Sequence, residues 1–69
     1  MEESDIQALL EVAGYRLSVI RVNRSGDFRI WFGVTILDAQ GMQHLKEIYS
    51  TTRHVAVNVA YKHFLGETK

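Results

Sequence analysis

An alternating run of ten residues, FRIWFGVTIL from Phe28 to Leu37, constrains the fold of this 69-residue chain more than any other segment. A period of two predicts a β-strand, because successive side chains of a strand point to opposite faces of its sheet. One face of this strand is apolar along its whole length and predicts the core side. Its members are Phe28, Ile30, Phe32, Val34 and Ile36.

The preceding segment, YRLSVIRV, predicts the partner strand of a β-hairpin. NRSGD then forms the turn, with Gly26 supplying the positive φ of a three-residue loop with a bulge. We expect the register that keeps apolar side chains beside one another. It pairs Val22 with Phe28 and Ile20 with Ile30. The open face of the hairpin then carries Leu17, Val19, Arg21, Arg29, Trp31 and Leu37.

A first helix is predicted over DIQALLEVAG. Ile6, Leu9 and Leu10 recur at helical spacing, and Ser4 or Asp5 is expected to cap the first turn. Gly14 predicts the end of this helix, since glycine is favoured just past a helix C-terminus.

A last helix is predicted over STTRHVAVNVAYKHFLGE, whose opening hydroxyl residues are typical of an N-cap. Ala56 and Ala60 allow it to lie close against a sheet. At 100° per residue its apolar arc contains Val55, Ala56, Val57, Val59, Ala60, His63 and Phe64, and the opposite side contains His54, Asn58, Tyr61 and Lys62.

The segment MQHLKEIYS between these regions is ambiguous. Ile48 and Tyr49 favour a third strand, and the alternative is one helix of more than twenty residues from about Gln43. With the strand, the chain is a single α+β domain over residues 1–69, of order αβββα. Two helices, about 4–13 and 51–65, pack on one face of a three-stranded antiparallel sheet with strands about 15–23, 27–38 and 43–49.

The charges cancel overall but are segregated along the sequence. Residues 1–14 contain four acids and no base, whereas residues 15–35 contain four arginines and one acid. A neutral chain lacks the basic bias of dedicated nucleic-acid binders. No apolar run reaches the roughly 18 residues that span a bilayer, and the acidic start is unlike a signal peptide. We therefore expect a cytoplasmic protein without a membrane partner.

The layout and the last helix resemble the double-stranded RNA-binding domain family, whose final helix reads roughly Ser-Lys-Lys-x-Ala-Lys-x-x-Ala-Ala-x-x-Ala-Leu. Thr52 falls on the serine and Arg53 on the first lysine. Ala56, Ala60 and Leu65 fall on apolar positions of the motif. The resemblance implies an αβββα fold and binding of duplex RNA by the last helix. The residues that would make those contacts are Arg53, His54, Asn58 and Lys62.

The chain also departs from that family. The Gly-x-Gly turn before the last helix is absent, and His54 and Val57 occupy the second and third lysine positions. Ala8 stands where the first helix of the family has a polar contact. Fewer basic side chains mean fewer phosphate contacts. These departures favour the fold over RNA binding.

No catalytic triad, phosphate-binding glycine loop or metal-ligand spacing is present in the sequence. We expect a non-enzymatic protein with no cofactor, no metal and no small-molecule substrate. Tryptophan and arginine are enriched at interaction hot spots, so Trp31 with Arg21 and Arg29 predicts a protein-binding face. The partner would be another protein or a second copy of the chain. A small regulator or inhibitor of a larger machine, of the type that phages and mobile elements encode, fits this prediction.

Overall fold

The computed structural model describes residues 1–67 and contains two helices and three strands. In chain order these are α1 (Glu3–Val12), β1 (Arg16–Asn23), β2 (Ile30–Leu37), β3 (Ile48–Ser50) and α2 (Arg53–Glu67). The strands form one antiparallel sheet in the order β1-β2-β3. Helix α1 contacts β1 and α2, and α2 contacts β2 and β3. The αβββα order and the α+β class predicted from the sequence are confirmed.

Backbone hydrogen bonds define both ends of helix α1. Its N-cap residue is Glu2, which makes no side-chain capping bond, so the prediction that Ser4 or Asp5 caps the helix is wrong. At the other end Gly14 adopts φ +86°. The amide of Gly14 donates to the carbonyl of Glu11, and the amide of Tyr15 donates to the carbonyl of Leu10. This pair of bonds is a Schellman motif, which explains why a glycine stops the helix.

The register of the hairpin differs from the predicted one by three residues. Val22 lies opposite Trp31, and Ile20 lies opposite Gly33. The observed register places Val19 opposite Val34 and Leu17 opposite Ile36. These last four apolar side chains thus share the side of the sheet that the helices cover. The observed register buries apolar side chains of both strands under the helices. The predicted register instead paired apolar side chains close to the turn.

The hairpin loop is correspondingly longer than predicted, with six residues, 24–29, between the strands. Gly26 has the predicted positive φ, at +79°. Strand β2 contributes to the core only along the part that lies under the helices. Val34 and Ile36 are fully buried, whereas Ile30 is 44% exposed and Phe28 is fully exposed. The prediction that Phe28 and Ile30 belong to the core is therefore wrong.

The third strand is present but short, and the alternative of one long helix from Gln43 is excluded. Residues 38–47 are mostly irregular. The carboxylate of Asp38 accepts hydrogen bonds from the amides of Gln40 and Met42, which closes a turn. Gln43 then forms an isolated bridge with Leu37. Only Ile48–Ser50 forms a ladder with β2, because Leu45 turns inward and is buried in the core.

Helix α2 buries its small and apolar residues as expected. The Ser50 hydroxyl accepts a hydrogen bond from the Thr52 amide ahead of the first turn. The fully or nearly fully buried members are Ala56, Val57, Ala60 and Phe64. Three placements differ from the predicted arc, since Val55 and His63 are exposed and Tyr61 packs against the core. Helix α2 contacts both the sheet and α1, and the arc that these contacts bury is shifted toward Tyr61.

We expect Ala60→Leu to lower the free energy of unfolding by about 1–3 kcal/mol, because the larger side chain has no space in the close packing under α2. Lys62→Leu on the exposed side of the same helix serves as the control, with an expected change within about 0.5 kcal/mol. Chemical denaturation followed by circular dichroism measures both. Equal losses in the two variants would contradict close packing at Ala60.

Candidate protein-interaction face

The side of the sheet away from the helices carries a cluster of aromatic, aliphatic and arginine side chains around Trp31. Val22 lies directly opposite Trp31, and Ile20 and Tyr49 flank Gly33 from the two neighbouring strands. Ile20 and Tyr49 are nearly half exposed, and Trp31 is partly buried. We call the set Ile20, Val22, Arg24, Trp31 and Tyr49 the outer-face cluster.

Asp27, in the hairpin loop, fixes the position of Trp31. One carboxylate oxygen of Asp27 accepts the Trp31 indole N–H at 2.8 Å. The same carboxylate accepts the Nε and Nη2 groups of Arg29 at 3.1 and 3.0 Å and the Arg29 amide at 2.9 Å. The hydrogen bonds from Arg29, followed by the bond from Trp31, hold the pKa of the Asp27 carboxyl well below its usual range.

Arg24 is held by two aromatic rings. Its guanidinium carbon lies 4.5 Å from the centroid of the Trp31 ring and 5.8 Å from that of Tyr49. The guanidinium carbon of Arg29 also approaches Trp31, at 5.2 Å from the ring centroid, but its Nε and Nη2 groups donate to Asp27. Among residues 1–66, no carboxylate forms an ion pair with Arg24. The guanidinium of Arg24 is therefore oriented by cation–π contacts while its hydrogen-bond donors remain available.

Gly33 makes room for the Tyr49 ring on this face. A Cβ atom at this position would lie 2.9 Å from Tyr49 Cε1 and 3.0 Å from Glu47 Oε2. The Tyr49 hydroxyl donates to Glu47 at 2.7 Å, and this bond raises the pKa of Tyr49. The absence of a side chain on Gly33 thus allows the Tyr49 ring to settle near Arg24.

The structure brings together only part of the predicted interaction face. Trp31 and Arg29 are adjacent, as expected. Leu17 and Val19 lie on the helix-covered side and pack against the core, so their predicted outward orientation is wrong. Arg21 is exposed but lies opposite Phe32 on that same helix side. Leu37 is on the outer side but six residues from Trp31, roughly 20 Å along the strand.

Asp27 and four members of the outer-face cluster were missed from the sequence, and these four are Ile20, Val22, Arg24 and Tyr49. Ile20 and Val22 were expected on the core side, because the predicted register paired them with Ile30 and Phe28, and this placement is wrong. Arg24 and Asp27 belong to the loop, whose conformation does not follow from alternation. A signal for Tyr49 does exist, because a glycine within a strand often marks the close approach of another group. Gly33 in the middle of an apolar strand, with a tyrosine in the next strand, is such a pattern.

The residues predicted to bind RNA lie near one another on α2, but two of them are engaged within the chain. Arg53 forms a two-point ion pair with Glu3, at 2.7 and 2.8 Å, which lowers the pKa of Glu3. The Asn58 amide donates to the carbonyls of Met1 and His54. His54 and Lys62 are exposed.

Other features of the described residues offer little chemistry. An open cavity of about 370 Å³ is lined by Leu45, Lys46, Ile48 and His63. Within residues 1–66, no three histidine, aspartate or glutamate side chains are grouped so that they could hold a metal ion. None of the helices in this part of the chain combines the length and the apolar character needed to cross a bilayer.

Comparison with known proteins adds no family to these observations. No protein-family model matches the chain, no curated protein is significantly similar to it, and no solved structure matches its fold at a significant level. The similarity to double-stranded RNA-binding domains therefore stays a prediction from the sequence.

The lowered pKa of Asp27 predicts how the outer-face cluster responds as the pH is lowered. The contribution of this carboxylate to stability is complete above the pKa of unfolded aspartate, about 3.9, and is lost only as pH falls toward the lower folded-state pKa. Fluorescence of Trp31, the single tryptophan, should therefore stay constant from pH 7 to about 4. Asp27→Asn should shift the emission at neutral pH, because an amide replaces the carboxylate at the indole N–H. A wild-type transition centred near pH 4 that is absent from Asp27→Asn would contradict this assignment.

Proposed function

We propose that this protein is a non-enzymatic binding module that recognises another protein through its outer-face cluster. The proposal rests on one observation. The Arg24 guanidinium lies near the rings of Trp31 and Tyr49, and its hydrogen-bond donors are available to a partner. A long arginine side chain normally loses rotamer entropy when it binds a partner. Here the two rings already restrict the side chain, so less entropy remains to be lost.

The chemistry of the cluster defines the partner surface that it fits. Trp31, Tyr49 and Ile20 supply apolar area around the guanidinium, and arginine with aromatic residues is the composition of interface hot spots. A partner carboxylate can accept two parallel hydrogen bonds from the fork of Arg24. We therefore propose a partner surface with an acidic side chain surrounded by apolar groups. Acting as an accessory regulator or inhibitor of a larger assembly is the role that fits such a module.

Binding of duplex RNA by α2 is the second candidate. It is supported by the αβββα layout and by the exposure of His54 and Lys62 on one helix. Against it, Arg53 would have to leave the Glu3 carboxylate in order to contact a phosphate. The outer-face proposal requires no such rearrangement, and we favour it for that reason.

Substitution of Arg24 tests the proposal. Tagged wild type, Arg24→Ala, Arg24→Lys and Lys62→Ala are used to capture proteins from cells of the native host, and a protein retained by wild type is then purified for calorimetry. We expect Arg24→Ala to weaken binding at least about tenfold and Lys62→Ala to leave it unchanged. Arg24→Lys should also weaken binding, because an ammonium lacks the planar fork. A partner that binds wild type and Arg24→Ala equally would overturn the proposal.

A gel shift with duplex RNA of about 20 base pairs tests the second candidate, since domains of the similar family span about 16 base pairs. We expect no shift at moderate salt, because the four α2 side chains offer few free cations. A shift that weakens steeply with salt and is lost in Lys62→Ala, but not in Arg24→Ala, would replace the protein-binding proposal with RNA binding.

A further inference from the structure

The helices do not cover the end of the sheet that lies nearest the hairpin loop. Val34 and Ile36 are fully buried, Phe32 is partly exposed, and Ile30 is 44% exposed, so the cover ends along β2. Arg21 lies on the same side, opposite Phe32, and is exposed. We call Arg21, Ile30 and the adjoining, fully exposed Phe28 the overhang.

Helix α1 displays an exposed apolar stripe that its own fold does not use. Leu9 is 47% exposed and Val12 is 90% exposed. Asp5, Leu9 and Val12 are spaced i, i+4, i+7, so they share one side of the helix. On the inward side of the same helix, Ile6 and Leu10 are buried in the core. Leu9 and Val12 thus form a small exposed apolar patch on this side of α1, to which a partner surface can add apolar area.

The overhang and the α1 stripe complement each other in both polarity and charge. The overhang offers apolar Ile30 diagonally across from the cation of Arg21, and Phe28 of the hairpin loop adds a fully exposed ring. The α1 stripe offers apolar Leu9 and Val12 beside the anion of Asp5. Helices α1 and α2 of the same chain already cover the adjoining part of this sheet face. A further helix packed against the overhang extends that layer of helices along the sheet.

We propose that a second copy of this chain occupies the overhang, with its α1 stripe packed against Phe28 and Ile30 and its Asp5 facing Arg21. In a two-fold symmetric dimer the contact occurs twice, because each copy both provides α1 and receives it. The dimer contact lies on the helix side of the sheet and leaves Trp31 and Arg24 accessible. It is therefore independent of the outer-face proposal, and either can fail without the other.

Charge exchange between two variants tests the dimer. Wild type, Arg21→Glu and Asp5→Lys are examined by light scattering and sedimentation at roughly 10 µM to 1 mM, a range that covers weak interfaces. We expect wild type to dimerise and each variant to dissociate at least about tenfold more readily, because like charges then face each other. An equimolar mixture of the two variants should restore the dimer, since both contacts regain opposite charges.

Two further variants distinguish this contact from a dimer formed through the outer-face cluster. Val12→Asp removes apolar area from an exposed helix position and should give a folded monomer, with its circular dichroism unchanged. Trp31→Phe alters the outer face and should leave the dimer intact. A wild-type monomer at the highest concentration would overturn the proposal. So would a mixture that stays monomeric, or a dimer that is lost in Trp31→Phe but kept in Val12→Asp.

Discussion

The pairing of β1 with β2 is the constraint on which the rest of the structure depends. It sets Val19 opposite Val34 and Leu17 opposite Ile36 on the side that α1 and α2 cover. A shift by one residue would turn all of β1 over and expose these side chains to water. Because the helices cover only part of the sheet, the same pairing also determines which residues stay outside the core.

Because the helices cover only part of one side of the sheet, the hairpin exposes side chains on both of its sides. On the outer side Trp31 is positioned by Asp27, and Arg24 stacks on it. On the helix side the strands extend past α1 and α2 and leave Ile30 exposed. A chain of this size can bury only about 60% of its unfolded surface, so exposed apolar side chains are unavoidable. The exposed apolar side chains near the hairpin loop and those on α1 support the proposals of binding.

The segregation of charge along the sequence has a structural counterpart. The acids of the first segment lie on α1 or, for Glu2, at its N-cap, and Glu3 pairs with Arg53 of α2 and so links the two helices. The arginines of the second segment lie on β1 and in the hairpin loop, and among them Arg29 is paired with Asp27. Zero net charge therefore describes a molecule with an acidic helix and a basic hairpin, which favours contacts between unlike surfaces.

The sequence by itself determined the order of the elements, the end of α1 just before Gly14 and the buried small residues of α2, because these depend on local periodicity and on glycine conformations. It also identified Trp31 as an outward side chain, since alternation along β2 is a property of the strand alone. Only the tertiary structure decided the register, the burial of Leu17 and Val19, and the meeting of Arg24, Trp31 and Tyr49. These depend on how far the helices cover the sheet and on the path of a six-residue loop, and neither is encoded in the spacing of neighbouring residues.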